Sequence, residues 1–427
     1  MTAPASETNR AIEAVFRIES PRLIAGLARM VRDVGLAEEL AQEALIAALE
    51  RWPETGVPDN PGAWLMATAK NRAIDELRRG KRLEQKHEEL GRDLDDERAD
   101  AVAAVEDAID DDIGDDLLRL IFTSCHPVLP TDARVALTLR LLGGLTVPEI
   151  ARAFLVPEPT IAQRIVRAKR ALTEARVPFE VPRGAELAPR LASVLEVIYL
   201  IFNEGYAATA GDDWMRPGLC EDALRLGRVL AELAPREAEV HGLVALMEIQ
   251  ASRERARRGP TGEPILLLEQ DRARWDQILI RRGLTALERA LALGDTRGPY
   301  ALQAAIAACH ARARAAAETD WARIVGLYGA LAELTPSPIV ELNRAVALAM
   351  HMGPAAGLAI VDGLRAEPAL ARYHLLPSVR GDLLMKLGRR DEARAEFERA
   401  ASLTQNARER ALLLERAAAC APGSGAA

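Results

Sequence analysis

Three features of the sequence point to an all-α protein. The 427 residues are rich in Ala, Leu and Arg and only 4% are aromatic, a balance that favours helices over strands. Apolar side chains recur at spacings of three and four through most of the chain. Prolines or glycines close several of these runs, among them Pro53, Pro127 and Gly143-Gly144. A chain of this length exceeds one core, so roughly two to four domains are expected.

Residues 8–52 read as helices. Val15, Phe16, Leu23, Ile24, Leu27 and Val31 form one apolar stripe, and Leu36, Leu40, Ala44, Ala47 and Ala48 form a second after Gly35. Glu38, Glu39, Gln42 and Glu43 flank the second stripe, and Pro53 closes it. This acidic edge suits either a solvated surface or docking to a basic partner. A loop rich in Pro, Gly, Asp and Asn over 53–62 leads into a helix over 63–82. Trp64, Leu65, Ala69, Ile74 and Leu77 supply its apolar face, with Trp64 expected in the core rather than as a stacking platform. Lys70, Arg72, Arg78, Arg79, Lys81 and Arg82 outnumber Asp75 and Glu76, so the helix suits a phosphate backbone.

The formal charge of −8 argues poorly for a nucleic-acid binder until its distribution is read. Residues 84–116 hold 15 Asp and Glu against 3 Lys and Arg, a local charge of −12. Set against the total of −8, that segment leaves +4 for the rest of the chain. The segment itself has too little apolar surface for a core and reads as an extended or partly ordered linker.

Two short helices follow, over 117–127 and 131–142. Cys125-His126 lies at the end of the first and is expected to serve packing and the loop, because no further ligands stand at useful spacing. From Thr146 to Leu172 two more helices flank Leu155-Val156-Pro157-Glu158-Pro159, where prolines stop one helix and open the next. Ile150, Ala151 and Phe154 share a face of the first, and Ile161, Ile165 and Ala168 a face of the second. Thr160, Gln163, Arg164, Arg167, Lys169 and Arg170 take other positions of the second helix. The pattern fits a helix-turn-helix whose second helix enters a major groove, and it also fits an ordinary helical hairpin with a solvated basic face.

The stretches 37–45 (AEELAQEAL) and 60–79 (NPGAWLMATAKNRAIDELRR) resemble region 2 of sigma-70 family RNA polymerase sigma factors of the extracytoplasmic-function (ECF) type. The order of region 2, acidic linker and a helix-turn-helix resembling region 4 fits the same family over about the first 175 residues. The resemblance implies region 2 at 8–83, a linker at 84–116 and region 4 at 117–176. It implies that Glu38, Glu39, Gln42 and Glu43 bind core RNA polymerase. Lys70, Asn71, Arg72, Asp75, Arg78 and Arg79 would read the minus-ten element of promoter DNA. Thr160, Gln163, Arg164, Arg167, Lys169 and Arg170 would read the minus-thirty-five element. The linker would pass through a basic channel of the polymerase.

Beyond a connector at 177–184, residues 185–418 read as helices that repeat. Ala-Glu-Leu-Ala-Pro235 recurs as Ala-Glu-Leu-Thr-Pro336, 101 residues later, close to three periods of a 34-residue repeat. Gly381, Gly388, Ala393, Phe397, Ala400 and Leu403 are spaced as in a tetratricopeptide helix pair, and 253–264 reads as an inserted loop. The expectation is an α-solenoid of five to six helix pairs that does not close on itself and offers a concave interaction surface. Tyr199, Phe202, Asn203, Glu204, Tyr206 and Trp214 gather aromatics in a chain otherwise poor in them. They suit a domain-junction core or a contact with a ligand or partner. The whole arrangement resembles a subgroup of these sigma factors with a tetratricopeptide-like C-terminal extension.

No phosphate-binding Gly loop, nucleophile elbow or paired ligand cluster appears, so an enzyme, a metal and a cofactor are not expected. Cys125, Cys220, Cys309 and Cys420 are far apart in sequence and suit free thiols in a reducing cytoplasm. Without a signal-peptide pattern or a long apolar run, a cytoplasmic protein with no membrane partner is expected. The function expected is promoter recognition for core polymerase, with the repeats modulating activity through contacts with the sigma domains or through a protein or small-molecule partner. The alternative is a stand-alone helix-turn-helix regulator with a repeat-type sensor domain.

Overall fold

A computed structural model of the protein describes residues 3–88, 113–260, 262–294 and 298–421. Most of the acidic segment, 89–112, lies outside the described residues. The chain forms two compact units, Met1–Ile198 and Tyr199–Ala427. Apart from two two-residue strands, the regular structure of the described residues is helical.

The first unit contains α1 (Ala3–Val31), α2 (Val34–Thr55), α3 (Pro61–Glu88), α4 (Ile113–Ser124), α5 (Thr131–Leu141), α6 (Val147–Phe154) and α7 (Glu158–Glu174). It ends within α8 (Leu187–Tyr206). Helix α1 packs on α2, α3 and α4. Small residues allow the close approach: Ala25, Ala28, Ala41, Ala44 and Ala48 are fully buried, alongside Leu23, Leu27 and Leu40. Asp33 starts α2, its Oδ1 accepting a hydrogen bond from the Leu36 N–H at 2.9 Å. Pro53, expected to close α2, lies inside it, and the helix runs on to Thr55. Trp52 is buried and meets Trp64 edge-on, with ring centroids 5.2 Å apart. Trp64 is thus half-buried in the α2–α3 contact, the packing role expected of it.

The second unit takes the last turns of α8, then β1 (Ala210–Gly211), α9 (Pro217–Leu233), α10 (Ala238–Ala251), α11 (Gln277–Ala292), α12 (Pro299–Arg312), α13 (Trp321–Leu334), α14 (Pro338–Met352), α15 (Pro354–Gly363), α16 (Leu375–Lys386), α17 (Arg390–Leu403), β2 (Gln405–Asn406) and α18 (Ala407–Ala419). Successive helices pack on one another as pairs. The α16–α17 pair shows the repeat chemistry most plainly: a Cβ at Gly381 would come within 2.9 Å of the Phe397 ring, and Phe397 and Ala393 are buried. Gly388, with φ +76°, makes the turn between the two helices.

Two expectations about the repeats change. The 101-residue spacing is not three periods. It spans two helix pairs, α10 with α11 and α12 with α13, plus an insertion over 252–276 that is longer than the loop expected at 253–264. The array also closes. β1 pairs in parallel with β2, Ala210 opposite Gln405 and Gly211 opposite Asn406. Asn406 is fully buried at this seam. Its Nδ2 donates to the carbonyls of Ala208 (3.4 Å) and Asp213 (3.1 Å), while its Oδ1 caps α18 by accepting from the Arg408 and Glu409 N–H groups. Four hydrogen bonds from one buried amide leave neither end of it unpaired, which holds the first loop of the unit to its last helix.

Candidate nucleic-acid interface

Helices α6 and α7 form the helix-turn-helix. Thr146 caps α6 in a capping box: its own N–H donates to Glu149 Oε2 at 2.7 Å, and its Oγ1 accepts from the Glu149 N–H at 3.4 Å. The helix stops at Leu155, which adopts the left-handed conformation (φ 51°, ψ 41°) at a steric cost of about 1 kcal/mol for a residue with a Cβ. The Val156 N–H donates back to the Ala151 carbonyl at 3.0 Å, and Pro157 opens α7. Ile150 and Ala151 are buried on α6, and Ile161, Ile165, Ala168 and Leu172 on α7.

That buried stripe decides which side chains of α7 face solvent. At 3.6 residues per turn, Thr160, Gln163, Arg164 and Arg167 fall within about 100° of one another on a face to one side of the stripe, Arg164 nearest to it and Gln163 farthest from it. Gln163 and Arg167 are exposed, and Thr160 and Arg164 are half-buried. Arg164 is held by Asp132 at 3.0 Å and Arg170 by Glu174 at 2.6 Å, whereas Arg167 has no ionic partner among the described residues. Lys169 was expected to be exposed with them. It lies about half a turn away, is largely covered, and forms an ion pair with Glu38 of α2.

Glu38 is likewise not on an open acidic edge: it is 4% exposed. Its carboxylate meets Lys169 on one oxygen, and on the other accepts from Arg140 Nε at 2.5 Å and Gln42 Nε2 at 2.7 Å. Burial by itself would raise the pKa of this carboxyl. The opposing pull of Lys169 and Arg140 outweighs burial and holds it below its ordinary value. Close by, Asp33 Oδ2 accepts from Thr173 Oγ1 of α7 at 3.0 Å, and Gly35 admits the aliphatic stem of Lys169. Helix α2 therefore packs against α7, and the residues expected as two separate domains share one compact unit. Arg140 was absent from the residues expected to act; the available signal was an arginine near the end of an otherwise apolar helix.

Glu39 and Glu43 do face solvent, and Gln42 is half-buried. Glu43 is tied to Arg72 of α3 at 2.7 Å, which joins the edge expected to meet polymerase to the helix expected to meet the minus-ten element. On α3, Leu65, Ala69 and Ala73 are buried, Asn71, Asp75 and Arg78 are exposed, and Lys70 and Arg72 are half-buried. The side chains of Leu77, Arg79, Lys81 and Arg82 lie outside the described residues.

The first half of α8 completes this unit. Arg134, 9% exposed, donates to Ser193 Oγ at 2.5 Å and pairs with Glu196 at 3.1 Å. Ser193 donates in turn to the Cys125 carbonyl at 2.6 Å, and Arg190 donates to the Phe122 carbonyl at 2.9 Å. Cys125 is buried, which pushes its thiol up to about 11, and His126 accepts from the Val128 N–H within the loop. All four cysteines are buried and free.

The aromatic group expected at a domain junction opens the second unit. Tyr199 meets Tyr300 edge-on, Phe202 stacks on Tyr206, Glu204 pairs with Arg216, Asn203 is exposed and Trp214 is buried. No described helix is long and apolar enough to cross a membrane.

Comparison with known families agrees with this geometry. Residues 15–83 match the model of sigma-70 region 2, residues 119–172 that of sigma-70 region 4, and residues 190–291 a family of unknown function, DUF6596. An uncharacterised protein of Rhizobium meliloti (strain 1021) is 45% identical over 394 residues, 92% of each chain. The ECF RNA polymerase sigma factor SigK of Mycobacterium ulcerans (strain Agy99) is 32% identical over 150 residues, 34% of this chain and 75% of that one. SigK of Mycobacterium tuberculosis (strain H37Rv) is 32% identical over 148 residues, covering 34% and 74%. With both regions in order, an intact helix-turn-helix and a long helical segment behind them, this chain belongs to the sigma-70 family of RNA polymerase sigma factors, as an ECF-type member with a C-terminal extension.

Proposed function

We propose that the protein directs core RNA polymerase to promoters by reading the minus-thirty-five element with the Thr160, Gln163, Arg164 and Arg167 face of α7. The observation that supports this most directly is Arg167, exposed and free of an ionic partner among the described residues, on the second helix of a capped helix-turn-helix. An arginine so placed suits bidentate hydrogen bonding to guanine. Helix α3 contacts the minus-ten element through Asn71, Asp75 and the Lys70, Arg72, Arg78 and Arg79 cations, the latter mainly on phosphates. The acidic edge at Glu39 and Glu43 docks on the polymerase, supported by its exposure and charge. The C-terminal unit modulates this activity. Run-off transcription with purified core polymerase on the protein's own upstream DNA tests the reading. Transcripts that start at one position only when the protein is present are expected. DNA binding in isolation, without any effect on polymerase, would favour a stand-alone regulator.

A further inference from the structure

The second unit contains a cavity of about 370 Å³ where its early and late segments meet. One wall comes from Tyr206, Trp214 and the 252–276 insertion, the other from α16 and α18. It lies beside the β1–β2 seam that closes the array.

The chemistry of the insertion wall is unusual. Arg253 and Arg257 line the cavity at 8% and 7% exposure, yet neither has a carboxylate within ion-pair distance among the described residues. Their partners are neutral. Arg257 lies 3.4 Å over the Tyr206 ring and 4.4 Å over the Trp214 ring, and donates to the Tyr206 carbonyl at 2.6 Å. Arg253 lies between Tyr206 and Trp275 and donates to Tyr206 Oη at 2.7 Å, while its buried Nε finds no acceptor among the described residues. A third arginine of the insertion, Arg272, is spent on carbonyls of His310 and Ala313 and on Thr319 Oγ1.

Ring faces offset part of the cost of burying a guanidinium, but they supply no counter-charge. Burial, with the neighbouring Arg253 and Arg258 charges adding to it, pushes Arg257 down to about 10. The one carboxylate on the far wall, Glu409, is bound to His374 at 3.3 Å and to Thr404 Oγ1 at 2.9 Å; against the effect of burial, His374 and, from beyond ion-pair distance, the Arg257 charge hold its carboxyl below the ordinary value. Arg416 is bound to Asp382. Leu267 and Leu413 face the same space. The insertion wall thus presents cationic donors that form no ion pair among the described residues and stack on aromatic rings, with apolar surface from Leu267 beside them and Leu413 opposite. This combination suits a planar anion carrying an apolar body.

We propose that this cavity binds a small organic anion, an aromatic or short aliphatic carboxylate, whose charge is met by Arg253 and Arg257 and whose body lies between Leu267 and Leu413. A ligand there touches both the insertion and the last helix of the unit, so its binding reinforces closure of the array. The reading is independent of promoter recognition, and its test needs no polymerase, so failure of one leaves the other standing.

The probe is anilinonaphthalene sulfonate titrated into the full-length protein by fluorescence, with the uncharged phenylnaphthylamine as control. Saturable binding at one site per chain is expected. It should be displaced by benzoate at a concentration at least about tenfold lower than by benzamide, because only the former supplies a charge-assisted acceptor. Arg257→Met removes the charge and keeps the length, and should weaken binding by about tenfold or more. Should that variant lose its far-UV circular dichroism, Ser378→Phe decides, since it fills the cavity from the α16 wall without touching either arginine. Benzamide competing as well as benzoate, or wild-type affinity in the folded variants, would overturn the proposal.

Discussion

Glu38 of α2 and Lys169 of α7 form an ion pair that fastens the helix expected to dock on polymerase to the helix expected to read DNA. Arg140 holds the other oxygen of the same carboxylate, so one buried anion serves two cations from α5 and α7. Lys169 therefore points toward α2 and away from the Arg167 face.

Removing the anion strands both cations. Glu38→Ala should destabilise the first unit by about 3–5 kcal/mol, the usual cost of breaking a buried pair from one side. Adding Lys169→Met should recover part of the loss, and non-additive unfolding free energies would report the coupling. Additive effects in denaturant titrations of the full chain would show that the pair contributes nothing.

The same carboxylate predicts a pH response. Its folded pKa lies below the ordinary value of 4.5, so its contribution is present in full above that value and is lost as pH falls through the lower, folded one. The first-unit transition should fall in that acidic window in wild type, and more shallowly in Glu38→Gln. Identical slopes below pH 4.5 would assign the acid sensitivity to other carboxylates.

On α7 the two kinds of basic residue should separate. Arg167→Ala should cost about 1–3 kcal/mol of discrimination between promoter and mutated promoter while leaving thermal stability unchanged. Lys169→Ala should do the reverse, lowering stability with little effect on base preference. Run-off on paired templates, alongside melting curves, checks both. Equal loss of base preference in the two variants would mean that Lys169 leaves Glu38 in the complex.

Lys169 was expected alongside Arg167, although the Ile161, Ile165, Ala168 and Leu172 stripe fixes the azimuth of every residue on that helix and sets the two about half a turn apart. What Lys169 turns toward was not legible. Glu38 is more than a hundred positions away, and one glutamate among Glu38, Glu39 and Glu43 carries no local mark of burial. The helix-turn-helix was readable because its prolines and apolar spacing act within a few residues. Closure of the repeats was not, since two-residue strands at 210 and 405 have no periodicity to detect. The 252–276 insertion hid the repeat length by stretching two helix pairs to nearly three periods.

Charge reversal on the open part of the acidic edge should weaken association with core polymerase. Glu39→Lys is the cleaner test, because Glu43→Lys also releases Arg72, a surface pair worth up to about 1 kcal/mol. A severalfold rise in the dissociation constant for core, steeper at low ionic strength, is expected. Unchanged affinity for Glu39→Lys in a pull-down would place docking elsewhere.

The connector at 177–184 suggests a natural place to cut the chain after Arg176, but the first unit continues through α8 to Ile198. A chain ending at Arg176 leaves Arg134 without Ser193 and Glu196, and leaves the Cys125 and Phe122 carbonyls without the Ser193 and Arg190 donors. A lost hydrogen bond to a charged group costs about 1.5–3 kcal/mol, and the buried Leu191, Val194 and Leu195 leave with it. Residues 1–176 should therefore melt below residues 1–198, and part of any activity lost on cutting at Arg176 should reflect this damage rather than loss of the repeats. Run-off transcription with 1–176, 1–198 and the full chain separates the two. Restored stability in 1–198 with activity still below the full chain is the expected outcome and assigns the remainder to the second unit. Equal melting of 1–176 and 1–198 would show that α8 does not support the first unit, and equal transcription by 1–198 and the full chain would remove the modulatory role of the repeats.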